Sequence, residues 1–273
     1  MTKLHPRLSV SSVCSFTWAL DDDLRMWADA GIDRVGIAYV TLEADGLDAA
    51  LEKVAAAGLE VCDLIGVGPF RLDHPPSWPE QQERLLPIID AAAALGAGSL
   101  VLTPGPAGSL SWEEAAAAFT RAFTPVADAA RQRGVPLAIE NTGWLRFEIG
   151  FATTLRDTVD LARSVDAGLC VEINNCWIER GLDRTLADAV SSITVFQLSD
   201  YIEGTNNSPN RAVPGDGVIP LRRIVSQVLE AGYQGPFELE ILGPRIDEEG
   251  VEAAILRGIT ALDDLLISVG LPR

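Results

Sequence analysis

Histidine is almost absent from this chain: 2 of 273 residues, His5 and His74. Lysine is as scarce, confined to Lys3 and Lys53. Neither lysine ends an apolar run, which excludes Schiff-base catalysis, and two distant histidines leave no convincing Ser-His-Asp arrangement. Positive charge is short too, with 21 Lys+Arg against 39 Asp+Glu and a net charge of -18. That balance excludes nucleic acid and anionic membrane as partners, since both need a basic surface. Hydrophobic residues make up 48%, yet no apolar run approaches the ~18 residues of a membrane span. No secretory core follows Met1, so a cytoplasmic location is expected. No Cys-x-x-Cys pair occurs; Cys14, Cys62 and Cys170 fall in predicted strands and Cys176 just beyond one, as reduced structural thiols.

What is present is an alternation. Apolar, β-branched runs at about 8–14, 33–39, 59–66, 98–102, 136–140, 168–173, 193–198 and 236–241 read as strands. Helical stretches follow at about 21–30, 46–57, 79–95, 112–133, 153–165, 183–191, 220–231 and 249–268. Asp21 is a candidate cap, Ser111 with Glu114 a capping box, and Gly31, Gly58, Gly96, Gly134 and Gly232 are helix stops. Eight such units predict one α/β domain over residues 1–273, a (β/α)8 TIM barrel. An open dinucleotide-binding sheet is disfavoured, because Gly66-Val67-Gly68-Pro69 is too weak a fingerprint and there is no Walker loop. The irregular stretch from Ile202 to Val218 is the longest predicted loop, of the kind that carries function.

Four polar residues end apolar runs: Glu140, Glu172, Gln197 and Glu240. In a barrel the strand ends form the active-site mouth, and a carboxylate buried there must be exposed or paired. A helix cap or an arginine could satisfy any single one. Four on successive strands suggest instead a cage for one divalent ion, and an all-oxygen set favours Mn²⁺ or Mg²⁺ over Zn²⁺. Glu140 and Glu240 could also be catalytic, removing the proton beside a carbonyl from opposite faces to give an enediolate. Isomerisation, epimerisation and elimination all remain open. So does a pocket that binds a small molecule without turnover.

The segments Ala138-Ile-Glu140-Asn, Gly168-Leu-Cys-Val-Glu172-Ile-Asn-Asn175-Cys-Trp177, Val195-Phe-Gln197-Leu-Ser-Asp200 and Val213-Pro-Gly-Asp-Gly217, with Ala231 through Glu240, carry a resemblance. Together the chain resembles the xylose isomerase-like TIM-barrel superfamily of sugar-phosphate isomerases and epimerases. The resemblance implies metal ligands at Glu140, Glu172, Gln197 and Glu240, where relatives have Glu, Asp, His and Glu. Asn175 stands where a further histidine is common. Gln197 is similar to the strand-seven ligand of some 3-dehydroshikimate dehydratases, so a lyase is the runner-up to an isomerase or epimerase. The multi-zinc endonucleases of the same fold are excluded by two histidines and the acidic charge.

Arg211 resembles the substrate-binding arginine upstream of the Pro-Gly segment in related epimerases. His74, after the third strand, is the one histidine placed to reach the mouth. Trp18, Trp144 and Trp177 follow strands one, five and six, and Phe16 and Phe70 follow strands one and three. With aromatics at only 6%, this concentration predicts an apolar wall. The substrate contacts are therefore expected at Asn175, Trp177, Trp144, Arg211, His74 and Trp18. The expected partner is a neutral small molecule with an apolar portion, bound by a chain that can form a homo-oligomer.

Overall fold

The apolar runs become eight short parallel strands in the computed structural model, which describes residues 3–66 and 70–271. Residues 67–69 of the weak glycine segment lie outside the described residues. The strands are β1 (Leu8–Ser11), β2 (Arg34–Ala38), β3 (Glu60–Ile65), β4 (Leu100–Leu102), β5 (Leu137–Glu140), β6 (Gly168–Glu172), β7 (Ile193–Leu198) and β8 (Phe237–Leu239). They pair in sequence order, and β8 returns to β1 with Phe237 opposite Leu8, closing the barrel. Interleaved helices complete a single-domain TIM barrel: α1 (Leu20–Ala30), α2 (Tyr39–Asp45), α3 (Leu47–Ala57), α4 (Trp78–Leu95), α5 (Trp112–Gln132) and α6 (Leu155–Ser164). After β6 come α7 (Ile173–Cys176), α8 (Leu182–Ala189), α9 (Leu221–Glu230), α10 (Pro244–Glu249) and α11 (Val251–Ser268). Among the described residues no helix is long and apolar enough to cross a membrane.

Local chemistry explains most boundaries. Ser111 and Glu114 form the expected capping box at the start of α5, satisfying two backbone donors at once. Gly31, Gly58 and Gly96 take the left-handed stop at the ends of α1, α3 and α4. Two expectations are corrected. Asp21 is not a cap: Ala19 holds that position without a side-chain bond, and Asp21 lies in the first turn, 2.8 Å from Lys53 Nζ. Cys14 is not in β1, which ends at Ser11; residues Ser12–Ser15 turn into a 3-10 helix capped by the Ser11 hydroxyl. There the Cys14 thiol donates to the Leu239 carbonyl. All four cysteines are free and buried.

The main core fills the shell between strands and helices, while Val101, Ala138, Cys170 and Val195 form a small cluster of their own. Among the buried acids, Asp63 and Glu238 lie within β3 and β8 rather than at their ends. Gly36 makes room for one of them, because a Cβ there would sit 2.3 Å from Glu238 Oε2. The β2–β3 register shifts at the same place, bringing Asp63 opposite Gly36; a bulge of this kind re-aims a side chain.

Candidate active site

Parallel strands deliver their last side chains to one end of the barrel, and here those ends are acidic. Glu140 is the final residue of β5 and Glu172 of β6, Gln197 lies one residue before the end of β7, and Glu240 follows β8. Glu172 and Gln197 are fully buried, Glu240 nearly so, and Glu140 partly. The structure joins three of them, Glu172, Gln197 and Glu240, into one network with Arg211 at its centre, and leaves Glu140 beside it, felt only through space. One guanidinium nitrogen, Nη1, lies 2.9 Å from Glu172 Oε2 and also pairs with Glu240 Oε1. The other Glu172 oxygen caps α7, accepting from the Asn174 backbone at 2.8 Å. Gln197 donates through Nε2 to Glu240 Oε2 at 2.6 Å and to Glu238 Oε1 at 3.2 Å. Its own carbonyl oxygen faces the Cys170 thiol at 3.2 Å.

This arrangement does not fit the expected cage for a divalent ion. Arg211 lies between two of the carboxylates, and Gln197 presents N–H rather than oxygen to the centre. Among the described residues no group of three or more His, Cys, Asp or Glu is disposed to hold a metal.

Burial sets the protonation chemistry. It pushes the Glu140 carboxyl up to about 7, with Glu240 adding repulsion and Arg211 and Arg146 opposing it. It raises Glu172 to about 8 against the pull of Arg211. For Arg211 burial disfavours the charge, but Glu172, Glu240 and Glu140 outweigh it, so the guanidinium stays protonated. Beneath this layer, burial and the Glu238 carboxylate raise Asp63 well above its usual range, and Glu238 itself rises to about 7. Glu238 and Asp63 escape a search for acids at the ends of runs. The signal was parity: Glu238 lies two residues from Glu240, and alternate residues of a strand share one face.

Above the network lies a pocket of about 200 Å³ lined by Trp144, Asn175, Trp177, Ile178, Tyr201 and Arg211, among others. Trp144 is 67% and Ile178 76% exposed, while Trp177 and Tyr201 hold their rings 6.1 Å apart. Asn175 donates to the Asn141 carbonyl. Asn210, also in the wall, leaves Oδ1 buried without a hydrogen-bond partner among the described residues. Tyr201, Asn210 and Ile178 in loops, and Asn174 in the single turn of α7, were missed because segments this short or irregular have no periodicity to read.

Three expected aromatics or histidines stand apart. His74 is exposed on the turn before α4 and Trp18 packs against the core; neither lines the pocket. Phe70 is buried, its ring 4.9 Å from Phe123 of α5. A larger cavity of about 620 Å³ flanks α9 and α11, but none of the four strand-end residues lines it.

Comparison with known proteins agrees with this architecture. No curated protein matches the sequence. The IOLI protein, solved with a bound zinc atom, superposes with a TM-score of 0.83 at 19% identity over 96% of this chain and 99% of that one. D-psicose 3-epimerase from Clostridium cellulolyticum H10 gives 0.75 at 15% identity, covering 96% and 99%. A probable 3-DHS dehydratase, AsbF of Bacillus anthracis, gives 0.73 at 10%, covering 94% and 98%. At these identities the likeness is one of fold. Residues 24–263, however, match the sequence model of a family, and with the closed eight-stranded barrel they show that this chain belongs to the xylose isomerase-like TIM barrel family.

Proposed function

We propose that this chain is an enzyme that moves a proton beside a carbonyl, acting on a small, neutral, sugar-like hydroxy-ketone with an apolar portion. The observation that carries the reading is the pairing of two groups at the mouth. Glu140 accepts no hydrogen bond from any described residue, and the Arg211 cation acts on it through space. A carboxyl poised at about 7 suits a general base working near neutral pH.

Substrate would enter against Trp144, Trp177 and Ile178, with its hydroxyls toward Asn175 and the open Asn210 acceptor. Its carbonyl would face the Arg211 guanidinium, which supports the negative oxygen as Glu140 removes the neighbouring proton. Glu240, tied to Arg211 and Gln197, would serve as the second acid. Returning the proton to another face or carbon gives an epimer or isomer; losing a neighbouring hydroxyl or glycosyl group gives an alkene. The structural neighbours include an epimerase and a probable dehydratase, one of each outcome.

The test is deuterium exchange in D₂O with ketoses, inososes, dehydroshikimate and aromatic glycosyl ketones, for the wild type and Glu140→Gln. Exchange at the carbon beside the carbonyl, suppressed in the variant, is expected. Turnover without exchange and undiminished in Glu140→Gln would end the reading. Tight binding of a panel member with neither exchange nor turnover would instead support a non-catalytic barrel.

A further inference from the structure

We infer that Arg211 is the resident cation of this centre, and that Glu140, Glu172, Gln197 and Glu240 take no divalent metal while it is in place. The inference rests on the proposed reaction only for what the cation does in turnover. The exclusion of metal stands on geometry.

The first support is how Arg211 arrives there. It lies midway along the long loop from 202 to 218, whose backbone is fixed at many points. Asp200, just beyond β7, accepts from the backbone of Tyr201 at 2.8 Å, Gly215 at 2.9 Å and Ile219 at 3.0 Å. Asp200 and Ala212 exchange backbone hydrogen bonds at 2.8 and 2.9 Å. Arg211 itself donates from its backbone to Leu242 at 3.0 Å, and from Nη1 to the Glu240 carbonyl at 3.2 Å. Gly217 allows the loop to close, since a Cβ there would lie 2.3 Å from the Tyr201 carbonyl oxygen. The guanidinium is thus brought to the carboxylates by the backbone rather than by one freely swinging side chain.

The second support is the donor set. An ion held by Glu172 and Glu240 would sit against a guanidinium already paired with both, and like charges at contact distance repel strongly in a buried site. The third is Gln197, whose amide N–H groups serve Glu240 and Glu238 while its oxygen meets Cys170. To ligate a cation that amide would have to reverse, placing its carbonyl oxygen against two carboxylates. A guanidinium also differs from an ion in kind: its N–H groups bind oxygen in fixed directions. The centre is therefore built to hold an enediolate or carboxylate-like oxygen by hydrogen bonds.

Elemental analysis of protein purified without chelator, followed by calorimetric and thermal titration with Mn²⁺, Mg²⁺ and Zn²⁺, tests the inference. The wild type should carry no stoichiometric ion, show no saturable heat and gain no melting temperature. Arg211→Met frees two buried carboxylates, so it should take up about one ion per chain and be stabilised by it, as any ligand of the folded state does. Arg211→Lys keeps the charge and should remain metal-free, which preserves the test if the Met variant does not fold. A wild type holding a stoichiometric ion overturns the inference, as does a folded Met variant that binds no more metal than the wild type, or a Lys variant that binds it. A metal-binding wild type that still exchanges the substrate proton sinks this inference alone. A metal-free wild type inert across the whole panel sinks only the proposed reaction.

Discussion

Arg257 and Arg211 each bridge two acids, and they behave as opposites. Arg257 of α11 pairs with Asp216 and Glu249 at 2.8 and 2.6 Å on the surface, its side chain 43% exposed. Arg211 pairs with Glu172 and Glu240 at the mouth, its side chain 13% exposed and Glu172 at 0%. On the surface Arg257 pulls Glu249 below its usual carboxylate range through hydrogen bonds. At the mouth the same kind of partner cannot prevent burial from raising Glu172 to about 8. Desolvation, rather than the number of partners, decides the sign. The surface triad ties the Arg211 loop to α11; the buried one ties that loop to the ends of β6 and β8.

The largest effect should come from breaking both triads in turn. Arg211→Met should cost about 3–5 kcal/mol in chelator-treated buffer, because it strands buried charge. Arg257→Met should cost less than about 1 kcal/mol, as exposed pairs do. Urea unfolding of the two variants measures the contrast, and equal losses would erase it.

Glu140→Gln separates chemistry from stability at the mouth. A lost general base should slow turnover about 100-fold or more, while the melting temperature holds or rises because a partly buried carboxyl has been neutralised. A variant that loses stability in proportion to activity would make Glu140 a structural residue.

The buried carboxyls around the mouth and the surface triad should also answer pH in opposite directions. Glu140, Glu172 and Glu238 are raised from 4.5 to about 7, 8 and 7. The neutral forms are favoured by the fold, so their contribution is whole below the unfolded value and is lost as pH climbs through 7 to 8. Glu249, being lowered, contributes above its unfolded value and loses that as pH falls. Unfolding free energy should therefore decline from pH 5 to 9, with a shallower slope in Glu172→Gln. A flat profile in the wild type counts against the buried charges.

Salt gives the smallest contrast. Raising NaCl from 0.1 to about 1 M shortens screening from ~10 to ~3 Å and should remove most of the Arg257 penalty seen above. It should leave the Arg211 penalty nearly unchanged, since the buried pair is shielded from ions. A double comparison by urea titration at both salts reads it.

The eight strand and helix units were legible because apolar periodicity and helix stops are local properties of a chain. So were the four strand ends, since a polar residue closing an apolar run stands out by itself. Cys14 was misplaced because Ser-Val-Cys reads as extended until Ser11 caps the turn that follows. Phe70 could not be told from a mouth aromatic, because Phe123, the ring it packs on, is 53 residues away in the chain.

The sequence by itself determined the barrel, its order and the residues that end its strands. Only the tertiary structure decided what those ends do together. Asp63 meets Glu238 through barrel closure and the bare Gly36, and no local pattern records a neighbour three strands away. Glu172 and Glu240 are 68 residues apart, and Arg211 joins them only once the loop from 202 to 218 has folded back on Asp200. Whether a carboxylate faces an ion, an arginine or water is set by distance, and distance between remote residues exists only after the chain has closed.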